Sequence, residues 1–218
     1  MSLNGKTILF FAGPLYEDLE LWYPKIRLEE EGARTVVAGT GEKTYQGKRG
    51  YPLTVDTSVD EIDAAEFDGL VIPGGYAPDI MRRSPKLLQL TREIYRAGKP
   101  VAFICHAGWV PISAGIVKGK RGTSVGAIKD DLVNAGMVWE DSAVVVDGNL
   151  ISSRTPADLP QFMKALIAAL EKSGVRSRES GAGSTETGAS QKGASSRALR
   201  KGSGQAARGT YSTASGNQ

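Results

Sequence analysis

The sequence predicts an α/β fold in which helices cover both faces of a mostly parallel sheet. Short apolar runs that end at Gly, Pro or small residues alternate with longer stretches of helical spacing along most of the chain. This alternation favours parallel strands, because parallel neighbours are joined by crossover helices. Hydrophobic residues make up 40% of the 218 residues, which is enough for one substantial core.

The first four predicted elements include one helix with apolar residues at helical spacing. Pro24 within that helix predicts a kink or an early break, and Gly32 ends the helix. The side chains of this helix that we expect to face the core are Leu19, Trp22, Tyr23, Ile26 and Leu28. The four elements are a strand, the helix, a second strand and an irregular hairpin, over Thr7–Ala12, Asp18–Glu31, Thr35–Ala38 and Tyr45–Val55.

The following part of the chain continues the alternation. The Asp147-Gly148-Asn149 segment between two apolar runs predicts a hairpin turn, and a short helical pattern begins near Trp109. The other predicted elements are a strand, a helix, a strand, the two hairpin strands and a final amphipathic helix, over Gly69–Ile72, Pro85–Ala97, Val101–Ile104, Ala143–Val146, Leu150–Ser153 and Leu159–Glu171.

The composition changes sharply after Lys172. Residues 173–218 are dominated by Gly, Ser, Ala and Thr, and Tyr211 is their only aromatic residue. Such a segment buries too little apolar area to offset the entropy of ordering, so we expect a folded domain over 1–172 and a flexible tail over 173–218. The tail carries seven Lys and Arg against two Glu. We interpret it as a solvated extension; weak contact with anionic surfaces is the alternative, and no specific nucleic-acid partner is expected.

Cys105 is the only cysteine and His106 the only histidine in the chain. One thiol cannot form an internal disulfide, and one Cys with one His cannot supply a tetrahedral zinc site. We therefore expect no metal and no cofactor. Enzymes that pair a catalytic Cys with a His far along the chain are excluded for the same reason.

The chain also shows no sign of a membrane or secretory segment. No apolar stretch approaches the length that crosses a bilayer, and the N-terminus lacks the basic and then apolar pattern of a secretory signal. Together with the unpaired thiol, this predicts a cytoplasmic protein without a membrane partner.

The Cys105-His106 pair follows the predicted strand Val101–Ile104 and precedes a helix. A strand-to-helix turn presents a nucleophile sharply, and the amides of a helix N-terminus favour a thiolate. A thiol and an imidazole are well suited to nucleophilic attack and proton transfer near neutral pH. The alternative is that Cys105 is an inert buried residue, as most single cysteines are.

Two other candidate segments also follow predicted strands. Gly13–Asp18 comes after the first strand, and Pro73–Asp79 comes after the strand that ends at Ile72. Parallel strands with helical crossovers bring their carboxyl ends to one edge of the sheet, where sites lie in such folds. We therefore expect these segments to meet the Cys105-His106 turn.

Five segments occur in a recognisable order, namely Tyr16–Glu20, Pro73–Gly75, Cys105-His106, Ile112–Gly115 and Val145–Gly148. They resemble the ThiJ/PfpI superfamily, in particular its PfpI-type intracellular cysteine peptidases and stress proteins. The resemblance runs from about Lys6 to Glu171. It implies a flavodoxin-like, three-layer α/β sandwich that assembles into a homo-dimer or a hexamer.

The resemblance also implies roles for four side chains. Cys105 matches the nucleophile, His106 its neighbouring base, and Glu17 the buried acid that hydrogen-bonds the cysteine sulfur. By its pattern alone, Glu17 is an ordinary residue of the first turn of a helix. Asp79 matches an acid, typically Glu in the family, that reaches the His of a neighbouring subunit; alternatively, Asp79 is a simple helix cap.

Backbone groups complete the implied site. Gly74, Gly75 and Ala107 match positions that bind the substrate or donate hydrogen bonds to a developing oxyanion. The two glycines alone indicate no more than a tight turn. Tyr76 stands where the family often has Arg.

Two classes of function follow from this sequence. The first is a cysteine-dependent hydrolase in stress protection, which acts on small reactive carbonyls, on their protein adducts in a glyoxalase- or deglycase-like reaction, or on short peptides. The second is a non-enzymatic oxidant sensor or chaperone-like stress protein with an oxidisable Cys105. The presence of His106 favours the enzyme, because a sensor needs no base.

Overall fold

The computed structural model describes residues 1–181 and contains a seven-stranded sheet and two small two-stranded sheets. In the large sheet every neighbouring pair is parallel except the last two strands of the sequence, which form a hairpin. The strands are β1 (Thr7–Ala12), β2 (Arg34–Gly39), β3 (Thr44–Gln46), β4 (Pro52–Thr54), β5 (Thr57–Ser58), β6 (Gly69–Ile72), β7 (Val101–Ile104), β8 (Arg121–Gly122), β9 (Val138–Trp139), β10 (Val144–Asp147) and β11 (Leu150–Ser153). The order in the large sheet is β10-β11-β7-β6-β1-β2-β5, whereas β3 pairs with β4 and β8 with β9.

Helices flank the large sheet, which confirms the predicted flavodoxin-like, three-layer fold. The helices are α1 (Asp18–Glu30), α2 (Ala77–Met81), α3 (Pro85–Arg96), α4 (Trp109–Ser113), α5 (Lys129–Asn134) and α6 (Leu159–Gly181). Among residues 1–181, none of these helices is both long enough and apolar enough to span a membrane.

The central strands β1, β6 and β7 form the core of the sheet. Every residue of β6 and β7 is buried, as are the last five residues of β1. Continuous apolar runs of this kind are expected for strands that are covered on both faces. Because these strands are neighbours and parallel, their carboxyl ends lie at one edge, where an isolated bridge pairs Tyr16 with Gly75. The predicted meeting of the segments that follow these strands is therefore observed.

The boundaries of the elements that the sequence predicted agree closely with the structure, with two differences in the helices, whereas the short elements β5, β8, β9 and α2 were not predicted. Pro24 does not break α1, which is continuous. The last helix, α6, continues to Gly181, beyond its predicted end at Glu171 and beyond the compositional change after Lys172. The remaining residues of the predicted tail, 182–218, lie outside the described residues.

The orientation of α1 differs from the prediction. Leu19 and Ile26 were expected to face the core, but their side chains are 57% and 52% exposed, and Tyr23 is exposed as well. The fully buried apolar side chains of this helix are Leu21 and Leu28. Because large apolar residues lie on both sides of α1, their spacing does not identify the side that packs on the sheet.

Candidate active site

Cys105 occupies a strained turn at the carboxyl end of β7. Its φ angle is +62°, in the left-handed region that residues other than glycine seldom adopt. Residues Cys105–Gly108 form a 3-10 turn that leads into α4. Gly74 approaches so closely that a Cβ atom there would lie 2.8 Å from the Cβ of Cys105. Strain of this kind is typical of a nucleophile that is held at a strand-to-helix turn.

The imidazole of His106 lies beside the thiol of Cys105. Its Nδ1 is 3.3 Å from Sγ, within hydrogen-bonding distance for sulfur. Burial lowers the pKa of His106, and the ammonium group of Lys48 lowers it further. The imidazole is therefore neutral at pH 7 and can accept the proton of the thiol.

The acid that faces Cys105 is Glu20, and the prediction of Glu17 is wrong. Glu20 is fully buried, and its Oε2 accepts a hydrogen bond from the N–H of Gly74 at 2.8 Å. Among the described residues, no group forms a regular hydrogen bond with the other carboxyl oxygen, Oε1. The thiol of Cys105 interacts with this carboxyl group. Burial raises the pKa of Glu20 to about 8, so this carboxyl is protonated at pH 7 and can donate to a thiolate.

Glu17 lies at the rim of the site and immediately precedes α1. Its backbone is extended, and its N–H donates to the carbonyl of Gly74 at 3.1 Å. Its Oε2 is 3.5 Å from Nζ of Lys48 on the turn between β3 and β4. The helix begins at Asp18, so the side chain of Glu20 projects from the first helical turn into the core, whereas Glu17 faces a cation.

Burial favours the thiol form of Cys105 over the predicted thiolate. Burial raises the pKa of Cys105 to about 12, and the charge of an ionised Glu20 adds to this increase. The amides of His106 and Gly75 hydrogen-bond the sulfur and act in the opposite direction. Because Glu20 is protonated below about pH 8, its share of the increase is absent at neutral pH. The part of the increase in the pKa of Cys105 that burial causes remains at neutral pH.

The backbone donors are arranged differently from the prediction. The amide of Gly75, predicted as a donor to a substrate oxyanion, hydrogen-bonds the sulfur of Cys105, as does the amide of His106. The amide of Gly74 is taken by Glu20, so Gly74 is not a free donor for a substrate. Ala107 is buried, and its carbonyl accepts from the N–H of Trp109. Its predicted role as an oxyanion donor stays a prediction.

Asp79 does not reach His106 within one chain. Its carboxylate pairs with the guanidinium of Arg83 one turn further along. In the described residues no hydrogen bond or ion pair joins Asp79 to the imidazole. Its predicted role across a subunit interface is therefore untested.

Two residues at the rim add to the site. Tyr76 is 62% exposed, and the centroid of its ring is 5.8 Å from Nζ of Lys48. Sequence reasoning missed Lys48, because only the fold brings the β3–β4 turn to this edge. It also missed Glu20, although a second acid one helical turn after Glu17 was a signal that could have found it. Among the described residues, no group of three or more His, Cys, Asp and Glu side chains is placed to hold a metal ion.

The fold and the cysteine turn define a flavodoxin-like α/β protein with one thiol at the edge of its sheet. The sequence profile of the DJ-1/PfpI family matches residues 6–169. The protein named "Deglycase PfpI" of Pyrococcus furiosus is 46% identical over 164 residues, which are 75% of this chain and 99% of that protein. "Protein/nucleic acid deglycase 2" of Escherichia coli is 39% identical over 169 residues, 76% of this chain and 98% of that protein.

A solved structure shows the same architecture. The crystal structure of DJ-1beta from Drosophila melanogaster superposes with a TM-score of 0.70 at 31% identity, and covers 81% of this chain and 97% of that chain. The chain belongs to the DJ-1/PfpI family. The resemblance that the sequence motifs indicated is thereby confirmed.

Proposed function

We propose that the protein is a cysteine-dependent enzyme of stress protection that acts on small reactive carbonyls and on their adducts with proteins. The observation that carries the proposal is the 3.3 Å contact between Sγ of Cys105 and the neutral imidazole of His106, beside the buried carboxyl of Glu20. The names of the relatives in Pyrococcus furiosus and Escherichia coli, both deglycases, support the same substrate class.

The first step is the addition of the Cys105 sulfur to the carbonyl carbon. The thiol proton moves to Nδ1 of His106 while the S–C bond forms, and the π electron pair of the carbonyl becomes a lone pair of the alkoxide. The imidazolium then gives this proton to the alkoxide, which yields a neutral hemithioacetal. Because His106 is neutral at the start, the step does not require a thiolate at rest.

Charge develops on the sulfur during this step, and the site is prepared for it. The protonated carboxyl of Glu20 and the amides of Gly75 and His106 are arranged around the sulfur. Hydrogen bonds to a charged atom are stronger than those to a neutral one, so these donors stabilise the transition state more than the thiol. The amide of Ala107 is the proposed donor to the alkoxide.

Water completes the reaction of a 2-oxoaldehyde. His106 removes the proton from the carbon that bears sulfur and returns it to the neighbouring carbon. The hydroxyl proton of the first carbon passes to the oxygen of the second, so that the hemithioacetal becomes a thioester of a 2-hydroxy acid. Hydrolysis of the thioester releases the acid and restores the Cys105 thiol, so the aldehyde and one water give one 2-hydroxy acid. An aldehyde adduct of an amine or a thiol enters the same sequence when Cys105 displaces that group, which leaves with a proton.

Small carbonyl compounds are the proposed main substrates, and short peptides are a secondary class. The deglycase names of the relatives support this order. Two sizeable grooves of the described residues, of about 560 and 470 Å³, lie on the outer side of α1 and beyond the ends of β2 and β5, and neither is lined by Cys105 or His106. These grooves therefore lie apart from the proposed catalytic pair.

An oxidant sensor is the second candidate function. The carboxyl of Glu20 is placed to hydrogen-bond a sulfinate on Cys105, which supports it. However, peroxide reacts with the thiolate, and burial keeps Cys105 protonated. The geometry therefore supports the enzyme more strongly.

We also propose that the active form is a homo-dimer or a hexamer in which Asp79 of a second copy approaches His106. Asp79 lies on α2, directly after the turn that carries Gly75, and its side chain is 48% exposed. Its pair with Arg83 is a surface ion pair, which costs little to exchange at an interface. The mass of the protein in solution and the activity of Asp79→Asn test this arrangement.

The decisive experiment compares the wild type with Cys105→Ala and His106→Ala. The assays follow the consumption of methylglyoxal, the release of an aldehyde adduct from an amine, and the cleavage of a fluorogenic peptide. Cys105→Ala should abolish the activity, and His106→Ala should reduce it by about 10²- to 10⁴-fold, the range of general acid–base catalysis. Activity in Cys105→Ala contradicts the proposal. A wild type without activity whose Cys105 reacts rapidly with peroxide supports the sensor instead.

A further inference from the structure

Trp109, the first residue of α4, lies directly against the imidazole of His106. The centroids of the two rings are 5.5 Å apart, and their planes are inclined at 60°. This is the distance and tilt of a favourable aromatic pair. Trp109 is partly buried and packs on the core with its remaining surface.

The indole is itself held from several sides. Its Nε1–H donates to Oδ2 of Asp131 on α5 at 2.8 Å. The guanidinium carbon of Arg82, at the end of α2, lies 5.8 Å from the centroid of the indole. Nε of Arg82 donates to Oγ of Ser113 at the other end of α4, at 2.9 Å. The position of the indole is thus fixed by Asp131 of α5 and by Arg82, the residue that follows α2.

The imidazole, in contrast, has few polar contacts of its own. Within residues 1–181, the sulfur of Cys105 is the hydrogen-bond partner that the structure shows for His106. A rotation of the ring about its Cβ–Cγ bond would therefore break one hydrogen bond and move Nδ1 away from the sulfur. Packing against the indole opposes this rotation.

We propose that Trp109 is a positioning residue that keeps Nδ1 of His106 directed at Cys105, and that Asp131 anchors Trp109 in this position. The inference rests on the proposed function. Charged and titratable groups around the imidazole are Cys105 at Nδ1 and Lys48 from the β3–β4 turn, and Arg82 and Asp131 contact the indole.

The single histidine makes the proposal measurable without any activity. In the tag-free full-length protein, the Cε1–H signal of His106 in a proton–carbon NMR spectrum reports both the ring current of the indole and the pKa of the imidazole. The variants are Trp109→Leu, Trp109→Phe and Asp131→Ala, with Asp130→Ala as the matched control. Asp130 is the neighbouring exposed carboxylate on α5, and the structure gives it no contact with the indole.

The expected results follow a graded order. Trp109→Leu should shift the His106 signal, change its titration and lower kcat for methylglyoxal about tenfold with a smaller change in KM, because misalignment of a catalytic group acts mainly on the chemical step. Trp109→Phe keeps an aromatic face and should restore most of kcat. Asp131→Ala should lower kcat about threefold, as expected when the indole loses its anchor but keeps its packing. Asp130→Ala should match the wild type in both measurements.

Two results would overturn the inference. One is a folded Trp109→Leu protein whose His106 signal and kcat equal those of the wild type. The other is a Trp109→Phe variant as impaired as Trp109→Leu, since an aromatic face then plays no part. If Asp131→Ala and Asp130→Ala behave alike, Asp131 does not anchor Trp109, and that part of the proposal is wrong. If the wild type lacks activity, but the titration of His106 changes in Trp109→Leu and returns in Trp109→Phe, the proposed function fails and the positioning stands.

Discussion

Glu17 and Glu20 are the same residue type three positions apart, and the fold gives them opposite environments. Glu20 projects from α1 into the core, where burial raises its pKa to about 8 and places its carboxyl against Cys105. Glu17 stays at the rim, 3.5 Å from the ammonium of Lys48. The difference shows that the orientation in which α1 packs, rather than the sequence motif itself, determines which acid interacts with the sulfur of Cys105.

The same comparison extends to the apolar residues of α1. Leu21 is fully buried, whereas Leu19 is 57% exposed. Leu21→Ala should lower the free energy of unfolding by about 2–5 kcal/mol because it leaves a cavity. Leu19→Ala, the matched control on the outer side, should change it by no more than about 0.5 kcal/mol. Urea unfolding measures both. Equal losses would mean that the outer side of α1 is buried in an assembly or that the helix packs differently.

A second test concerns the glycine that lies between Glu20 and Cys105. A Cβ atom on Gly74 would lie 2.6 Å from Oε2 of Glu20 and 2.8 Å from Cβ of Cys105. Gly74→Ala should therefore destabilise the protein by about 1–3 kcal/mol through overpacking, and it should also reduce the activity. Gly41→Ala is the control, since no atom lies within 4 Å of a Cβ there. A Gly74→Ala protein with wild-type stability contradicts the close contact of the three segments.

The pH dependence of stability tests the buried environment of Glu20. The pKa of Glu20 rises from 4.5 to about 8 on folding, so the folded chain keeps a proton that the unfolded chain loses across this interval. The contribution of Glu20 is complete below about pH 4.5 and is lost as the pH rises to about 8, so the free energy of unfolding falls over this range. Denaturation of the wild type and of Glu20→Gln between pH 5 and pH 8 tests this. The wild type should lose stability relative to the variant, and a constant difference between the two would refute the raised pKa.

Much of the fold could be predicted from the sequence because each central strand is a short apolar run that ends at a turn signal. The strands β6 and β7 occupy the predicted positions, as do Cys105 and His106 at the end of β7. These features depend on local patterns. The single copies of Cys and His also limit the chemistry that the site can perform, and a count of residue types is enough to show it.

The choice between Glu17 and Glu20 could not be made from local patterns. Leu19, Tyr23 and Ile26, which are exposed, suggested the wrong inner side for α1, although Trp22 packs against the core as predicted. The inner side also carries the buried acid Glu20, a residue type that sequence patterns place at the surface. The contacts of Lys48 and Trp109 with the site also depend on turns and helices that are distant in the sequence. Tertiary packing alone determines these contacts.

The most direct test of the arrangement around the sulfur is the pH dependence of alkylation of Cys105 by iodoacetamide. Because the chain has one cysteine, every alkylated molecule reports this site. The wild-type rate should still be rising at pH 10, since burial raises the pKa of Cys105 to about 12. Glu20→Gln should move the curve to lower pH because it removes the charge that an ionised Glu20 adds, and Glu17→Gln should leave the curve in place. A wild-type curve that levels off below pH 9, or a shift in Glu17→Gln without one in Glu20→Gln, would contradict the account.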